Sequence, residues 1–366
     1  MKKPDKTQKR LRLLARRAFR RARGRRRHRE WRRQQNILNA RRSIDYISHH
    51  RAILRQTGRL HRRNYRNVVA PKKFSFLENP KGIAAFIGDL KRLHSSSKEV
   101  FVVMREVDNI DYSAIVVLLS IMVKFKSSGI SFDGDFPKNQ GAKDILIGSG
   151  FFKYLRKSII EEERYDLSKN HGIHTHAFKK VDPQLGAKII EKSSATIWGE
   201  ARRCQGVQRT ILELMQNTNN HADIGRSGEK HWWLSVQHLE DQKKVVFSFV
   251  DYGVGIFHSL ANKPVTDKFF GWMEKLSGLF SFKNNADILR LILEGSLHKT
   301  VTNEYFRGKG LPGIADALKR KQLSRLHIIT NDVYANVEMG QFETMTQPFD
   351  GTFIYWELGE ENVSCK

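Results

Sequence analysis

The chain has 366 residues, 40% hydrophobic and 28% charged, with a formal net charge of +27. That length suits about two domains at ~150 residues each, and its two cysteines, Cys204 and Cys365, are too few for a disulfide framework and too far apart for a metal-ligand pair, which predicts a reducing compartment. The longest apolar run, Ala114–Val123, is about half of the ~20 residues a membrane span needs, and the basic N-terminus lacks the apolar stretch of a signal peptide, so a soluble, cytoplasmic protein is expected.

The charge is concentrated at one end. Residues 1–70 hold 25 Lys and Arg against three acids, a balance of +22, and the remaining 296 residues carry only +5. Residues 9–33 read KRLRLLARRAFRRARGRRRHREWRR, in which Leu11, Leu13, Leu14, Ala18 and Phe19 form a narrow apolar stripe on an arginine-rich helical pattern. Residues 41–66 carry Ile44, Ile47, Ile53 and Leu54 at near-helical spacing. A segment of this charge releases counterions on meeting a phosphate backbone, so residues 1–70 are expected to form a basic helical arm that contacts DNA or RNA. An anionic membrane surface, an acidic partner and a solvated tail remain alternatives. No zinc-finger or helix-turn-helix pattern is present to read bases.

Residues 71–160 alternate strand-like and helix-like stretches, which implies an α/β layer fold. Val100–Met104 is a β-branched run of buried-strand length. After the loop Asn109–Ser113, residues 114–126 read as a mostly buried helix ended by Ser127-Ser128-Gly129. Ile130–Phe132 is a short strand, and Gln140–Gly148 a second helix. Ser113 is placed as the N-cap of the buried helix, a role serine fills often. The order of elements resembles a STAS domain, the fold of anti-sigma-factor antagonists, with Asp111-Tyr112-Ser113-Ala114 where that family carries a phosphorylated serine. The resemblance implies a partner protein and makes Ser113 a candidate phosphorylation site. Residues 161–199 are polar and read as a linker, with the histidines of His171-Gly-Ile-His174-Thr-His176 on a surface loop.

Four elements follow in residues 200–360. The first is Val207–Ala222, with Val207, Ile211, Leu214 and Met215 on an apolar helical face. Glu213 and Asn217 lie one turn apart on another face; an amide oxygen can ligate Mg²⁺, and a carboxylate can polarise a water or hydroxyl. The second is a strand over residues 245–250 ending in Asp251-Tyr-Gly253-Val-Gly255; an Asp at a strand end can accept a hydrogen bond from an exocyclic amine. The third is Gly308-Lys309-Gly310-Leu-Pro-Gly313 opening a helix, where phosphate can rest on free amides. A Rossmann reading fails for want of a preceding strand. The fourth is Asp350-Gly351-Thr352 leading into the strand Phe353–Leu358.

In order and spacing these elements resemble the N box, G1 box, G2 box and final Gly-Thr strand of the GHKL ATPases (gyrase B, Hsp90, histidine kinases, MutL). The stretch from Glu213 to Ala222 is similar to the anti-sigma-factor serine kinases of that superfamily. The resemblance implies a Bergerat α/β sandwich, with a mixed, mostly antiparallel sheet and helices on one face, that binds ATP and Mg²⁺. It implies Glu213 as general base, Asn217 as Mg²⁺ ligand, and Asp251 on the adenine amine supported by Thr352. Gly253 and Gly255 would shape the adenine pocket, and Gly308, Lys309, Gly310 and Gly313 would wrap the phosphates. The long aromatic stretch between the G1 and G2 boxes, with Phe269, Phe270, Trp272, Phe280 and Phe282, stands where the family has a lid, and is either a packed insert or a surface for a partner or for a homodimer.

An ATP-driven switch, a serine/threonine protein kinase and a non-catalytic ATP sensor are the three activities these residues leave open. No histidine is followed by Asp or Glu, against a histidine kinase. For the arm, full-length protein is expected to retard pooled DNA or RNA in a gel, with affinity falling log-linearly with salt; deletion of residues 1–35 should abolish the shift.

Overall fold

The computed structural model describes residues 64–149, 151, 171–176, 181–221, 232–251, 255–257, 284–295 and 310–362. Tyr65–Lys366 form one compact unit; residues 1–63 of the basic arm and the aromatic stretch 269–282 lie outside the described residues, and residues 66–69, read with the arm, are a strand of the folded unit. In chain order the first elements are β1 (Arg66–Val69), β2 (Lys73–Phe74), α1 (Pro80–Ser95), β3 (Val100–Val103), β4 (Asn109–Ile110), α2 (Tyr112–Ser127), β5 (Phe132–Gly134) and α3 (Gln140–Gly148). Strands β1, β3 and β5 pair in that order as a parallel sheet, and β2 pairs with β4, also parallel.

The second group is β6 (His171–His176), α4 (Pro183–Trp198), α5 (Gln205–His221), β7 (Trp232–Leu239), β8 (Lys244–Asp251), α6 (Asn285–Leu293), α7 (Gly310–Lys319), β9 (Ser324–Asn336) and β10 (Gln341–Gly359). Its five strands form one sheet in the order β6-β7-β8-β10-β9. Every neighbouring pair is antiparallel, where a mixed sheet was expected. The stretch read as a linker supplies the edge strand β6 and the helix α4, so His171, His174 and His176 stand on a strand rather than a loop. Polar composition misled there because an edge strand and the outer face of a surface helix are both solvated.

Helices cover both faces of this sheet, not one. Residues alternate along β10: Ile354, Trp356 and Leu358 join a core with Val207 and Ile211 of α5 and Ile314 of α7, while Phe353 and Tyr355 join a core with Ile83 and Ile87 of α1 and Val116 of α2. Helix α2 also packs on β5 of the parallel sheet as well as on β7 and β8. A helix lying between two sheets has no solvated side, which explains why residues 113–123 are buried without a break. The Phe76 ring lies edge-on to Phe349 at 5.3 Å and tilted against Phe353 at 4.8 Å, joining the two layers.

Strand β10 begins at Gln341, twelve residues before the Phe353 that the sequence pattern suggests. Its register slips between Thr344 and Phe349, where Pro348 has no N–H to donate, and again between Phe349 and Thr352. Gly351 has φ +128°, a conformation open in practice only to glycine. Strand β9 runs on through Asn331 and Asp332 to Asn336.

Two sequence expectations need correction. The N-cap of α2 is Asp111, not Ser113: its carboxylate accepts from the Ala114 N–H at 3.1 Å and from the hydroxyls of Ser75 and Ser113. Ser113 is buried and its hydroxyl accepts from the Phe76 N–H at 2.9 Å. Cys204 is fully buried and disulfide-bonded, against the expectation drawn from two distant cysteines.

Burial pushes the Asp111 carboxyl up, and the hydrogen bonds from Ser113, Ser75 and Ala114 only partly offset it. A raised folded value means that the folded state holds the proton more tightly than the unfolded chain does. The stability this contributes is present below the unfolded pKa and is lost as pH rises toward the folded one. Unfolding by urea should therefore show the stability of the wild type falling relative to Asp111→Asn as pH rises above about 4; identical pH profiles for the two proteins would contradict the assignment.

Candidate functional site

Helix α5 buries Val207, Ile211, Leu214 and Met215 against the sheet, and this sets the direction of its other faces. Glu213 and Asn217 are half-buried on the flank that meets the start of α7. Gly310, the first residue of α7, comes so close that a Cβ there would lie 3.0 Å from Asn217 Nδ2, 3.4 Å from its Oδ1 and 3.5 Å from Glu213 Oε2. A larger residue would crowd the Asn217 amide and reach van der Waals contact with Glu213. One turn earlier on α5, Arg209 pairs with Glu213 (Nε to Oε1, 3.6 Å), and its guanidinium lies 3.9 Å from where a Cβ on Gly313 would stand. The carboxylate, the amide and the glycine-opened helix end therefore form one cluster.

The second cluster lies at the end of β8. Thr218, next to Asn217 and buried, donates its hydroxyl to Asp251 Oδ2 at 3.4 Å. Asp251 is half-buried and stands opposite Thr352 of β10 in the strand register, and Thr352 stands opposite Thr330 of β9. By strand alternation Asp251, Thr352 and Thr330 point to the α5 side of the sheet. Thr218 thus links the two clusters.

Beyond Asp251 the chain turns back onto β9. Gly255 has φ +74°, and a Cβ there would meet Asn331 Oδ1 at 2.3 Å. Asn331 itself has φ +49°, which asparagine tolerates better than most residues. Its Oδ1 accepts from the Phe257 N–H at 3.2 Å; Thr330 Oγ1 accepts from the Ile256 N–H at 3.0 Å and donates to the Gly351 carbonyl at 3.1 Å. The turn after β8 is therefore tied to the residue just before Thr352.

Of the residues singled out in the sequence, Glu213, Asn217, Gly310 and Gly313 come together at the α5–α7 contact, and Asp251, Gly255 and Thr352 around the end of β8. Gly253, Gly308 and Lys309 lie outside the described residues. Sequence reasoning missed Arg209, Thr218, Thr330 and Asn331. The signal for the last two was polar residues inside an apolar strand run; Arg209 and Thr218 gave none, being ordinary on a helix. Among the described residues no three His, Cys, Asp or Glu gather as a metal site.

The chemistry open to this arrangement follows from its groups. The Glu213 carboxylate can take a proton, the Asn217 oxygen can ligate a hard cation, and the N-terminal amides of α7 can meet an anion. Asp251 can accept from an amine. No protein-family model matches the chain, and neither a curated protein nor a solved structure does.

The clasp of Gly255 on Asn331 has a direct test. Gly255→Ala places a Cβ in conflict with Asn331 at a left-handed φ and should cost about 1–3 kcal/mol, read as a lower denaturation midpoint at unchanged m-value. An unaltered midpoint would mean that the turn does not bear on β9.

Proposed function

We propose that the chain binds ATP with Mg²⁺ in a Bergerat-type pocket between α5, α7 and the ends of β8 and β10, and that it acts as a nucleotide-dependent switch of the GHKL type. The observation that carries this reading is the meeting of Glu213, Asn217 and Gly310 on one side of Thr218, with Asp251 and Thr352 in register on the other. Asn217 and Gly310, 93 positions apart in sequence, and Asp251 and Thr352, 101 apart, would thereby form a triphosphate end and a purine end. The purine amine would be bound by Asp251, with Thr352 beside it. The phosphates would lie on the amides that open α7. Mg²⁺ fits a single protein oxygen, that of Asn217, since this ion keeps waters and binds chiefly through phosphate; when bound it neutralises phosphate charge. Glu213 would take the proton from the attacking water, and its pairing with Arg209 holds the carboxylate at the phosphate end.

The layer formed by residues 66–148 resembles a STAS domain in its order of elements, and as a partner-binding module it and the basic arm, through nucleic acid, would be outputs of the switch. A lid-mediated homodimer belongs to the same reading. A serine kinase acting on another protein is the second reading, favoured by the likeness of residues 213–222 to the anti-sigma-factor kinases. Ser113 is a poor acceptor for it, because its hydroxyl is buried and already bonded to Asp111 and Phe76. A pure sensor gives Glu213 nothing to do.

Incubation with γ-labelled ATP and Mg²⁺ separates the three. Free phosphate is expected, reduced at least about 100-fold in Glu213→Gln with ATP affinity retained, and Asp251→Asn should weaken ATP binding about tenfold. Label transferred to a protein side chain would establish the kinase, and bound but intact ATP the sensor.

A further inference from the structure

We propose that Lys91, on the opposite face of the sheet, is a positioning residue for the purine end of the pocket, so that helix α1 sets nucleotide affinity; this rests on the nucleotide reading above. Lys91 is 259 positions from Asp350, yet its Nζ donates to the Asp350 carbonyl at 3.0 Å and to the Asp350 carboxylate at 3.3 Å. The same ammonium lies 5.4 Å from the centre of the Phe349 ring. These contacts grip β10 at the two register slips that precede Thr352.

The grip continues to the other side of the sheet through backbone. Asp350 leads into Gly351, whose carbonyl accepts from Thr330 Oγ1, and Thr330 Oγ1 in turn accepts from the Ile256 N–H. A strand with three slips against β9, two of them before Thr352, a proline and a glycine at φ +128° has weak register of its own. Lys91 supplies the missing constraint from the α1 layer, and Phe76 adds the apolar part by packing on Phe349 and Phe353. What docks on or modifies α1 would therefore be read out as a change in purine binding, with the phosphate end unaltered.

The charged groups acting on the Lys91 ammonium are Asp350 of β10 and Lys124 of α2; burial, the largest effect, brings it down to about 8. Its charge is consequently lost in a range where other lysines keep theirs.

The test compares wild type with Lys91→Met and Lys91→Arg by calorimetric titration with ATP and Mg²⁺, steady-state turnover, and amide exchange of the nucleotide-free proteins. Lys91→Met should raise the Kd for ATP about tenfold, the size expected for a lost charged hydrogen bond, with kcat unchanged and Lys91→Arg intermediate. Exchange should quicken at Gly351, Thr352 and Ile256 while α2 stays protected. Wild-type affinity should weaken as pH rises through about 8 and that of Lys91→Met should not. Unchanged affinity with unchanged exchange at these three amides overturns the proposal, as does faster exchange spread evenly over the core. Failure of the wild type to bind ATP overturns the nucleotide reading instead, and the exchange at Gly351, Thr352 and Ile256 still decides whether Lys91 holds this strand.

Discussion

The covering of both faces of the five-stranded sheet is the constraint on which the rest depends. Strands β7, β8, β9 and β10 alternate apolar residues to either side, so neither face can meet water. Helices α4 to α7 cover one face and leave the candidate site at the ends of the strands. Helices α1 and α2 cover the other, and they belong to the layer that carries the parallel sheet. Packing of this kind is close and transmits displacement. It makes the parallel layer part of the same body as the site.

That arrangement explains why so many polar groups are buried near β10 without harm. Asp111 spends its carboxylate on the α2 amide and two serine hydroxyls. Glu357 is met by Lys244 at 2.9 Å and Arg325 at 3.0 Å, and accepts from the Tyr355 hydroxyl. Burial lowers His327 to about 4, so that it stays neutral beside Tyr334. Buried polar groups paired in this way specify one register for the two layers, at the cost of their desolvation. The slips of β10 lie in its pairing with β9, where Thr352 stands opposite Thr330, while its pairing with β8 runs unbroken from Thr352 opposite Asp251.

At the candidate site, two short-range features are held in place by long-range ones. Glu213 and Asn217 are neighbours by helical spacing alone. Their meeting with Gly310 requires α7 to pack on α5, and the approach of Thr218 to Asp251 requires α5 to lie flat on the sheet. Hydrogen bonds from the Ile256 and Phe257 amides to Thr330 and Asn331, and from Thr330 to the Gly351 carbonyl, then join the turn at Gly255 to β9 and β10. None of these four has a chemical role in itself; each limits where Asp251 and Thr352 can be.

By itself the sequence determined the elements whose signals are local: a buried helix, read over residues 114–126, the apolar face of α5, the strand ending at Asp251, and the glycines that open α7. Charge balance, a property of composition, marked a basic N-terminal segment but set its boundary at residue 70, beyond strand β1. Tertiary structure alone decided which faces were shared. Periodicity marks α2 as buried all round but does not name the two sheets that bury it. The histidine-bearing segment has too polar a composition to read as a strand, and becomes one by pairing along β7. The N-cap fell to Asp111 instead of Ser113 because Phe76, from a distant turn, takes the serine oxygen. Lys91 gave no sign at all: its partner lies 259 residues away, and only the closure of α1 over β10 brings a lysine charge to the strand whose Thr352 stands opposite Asp251.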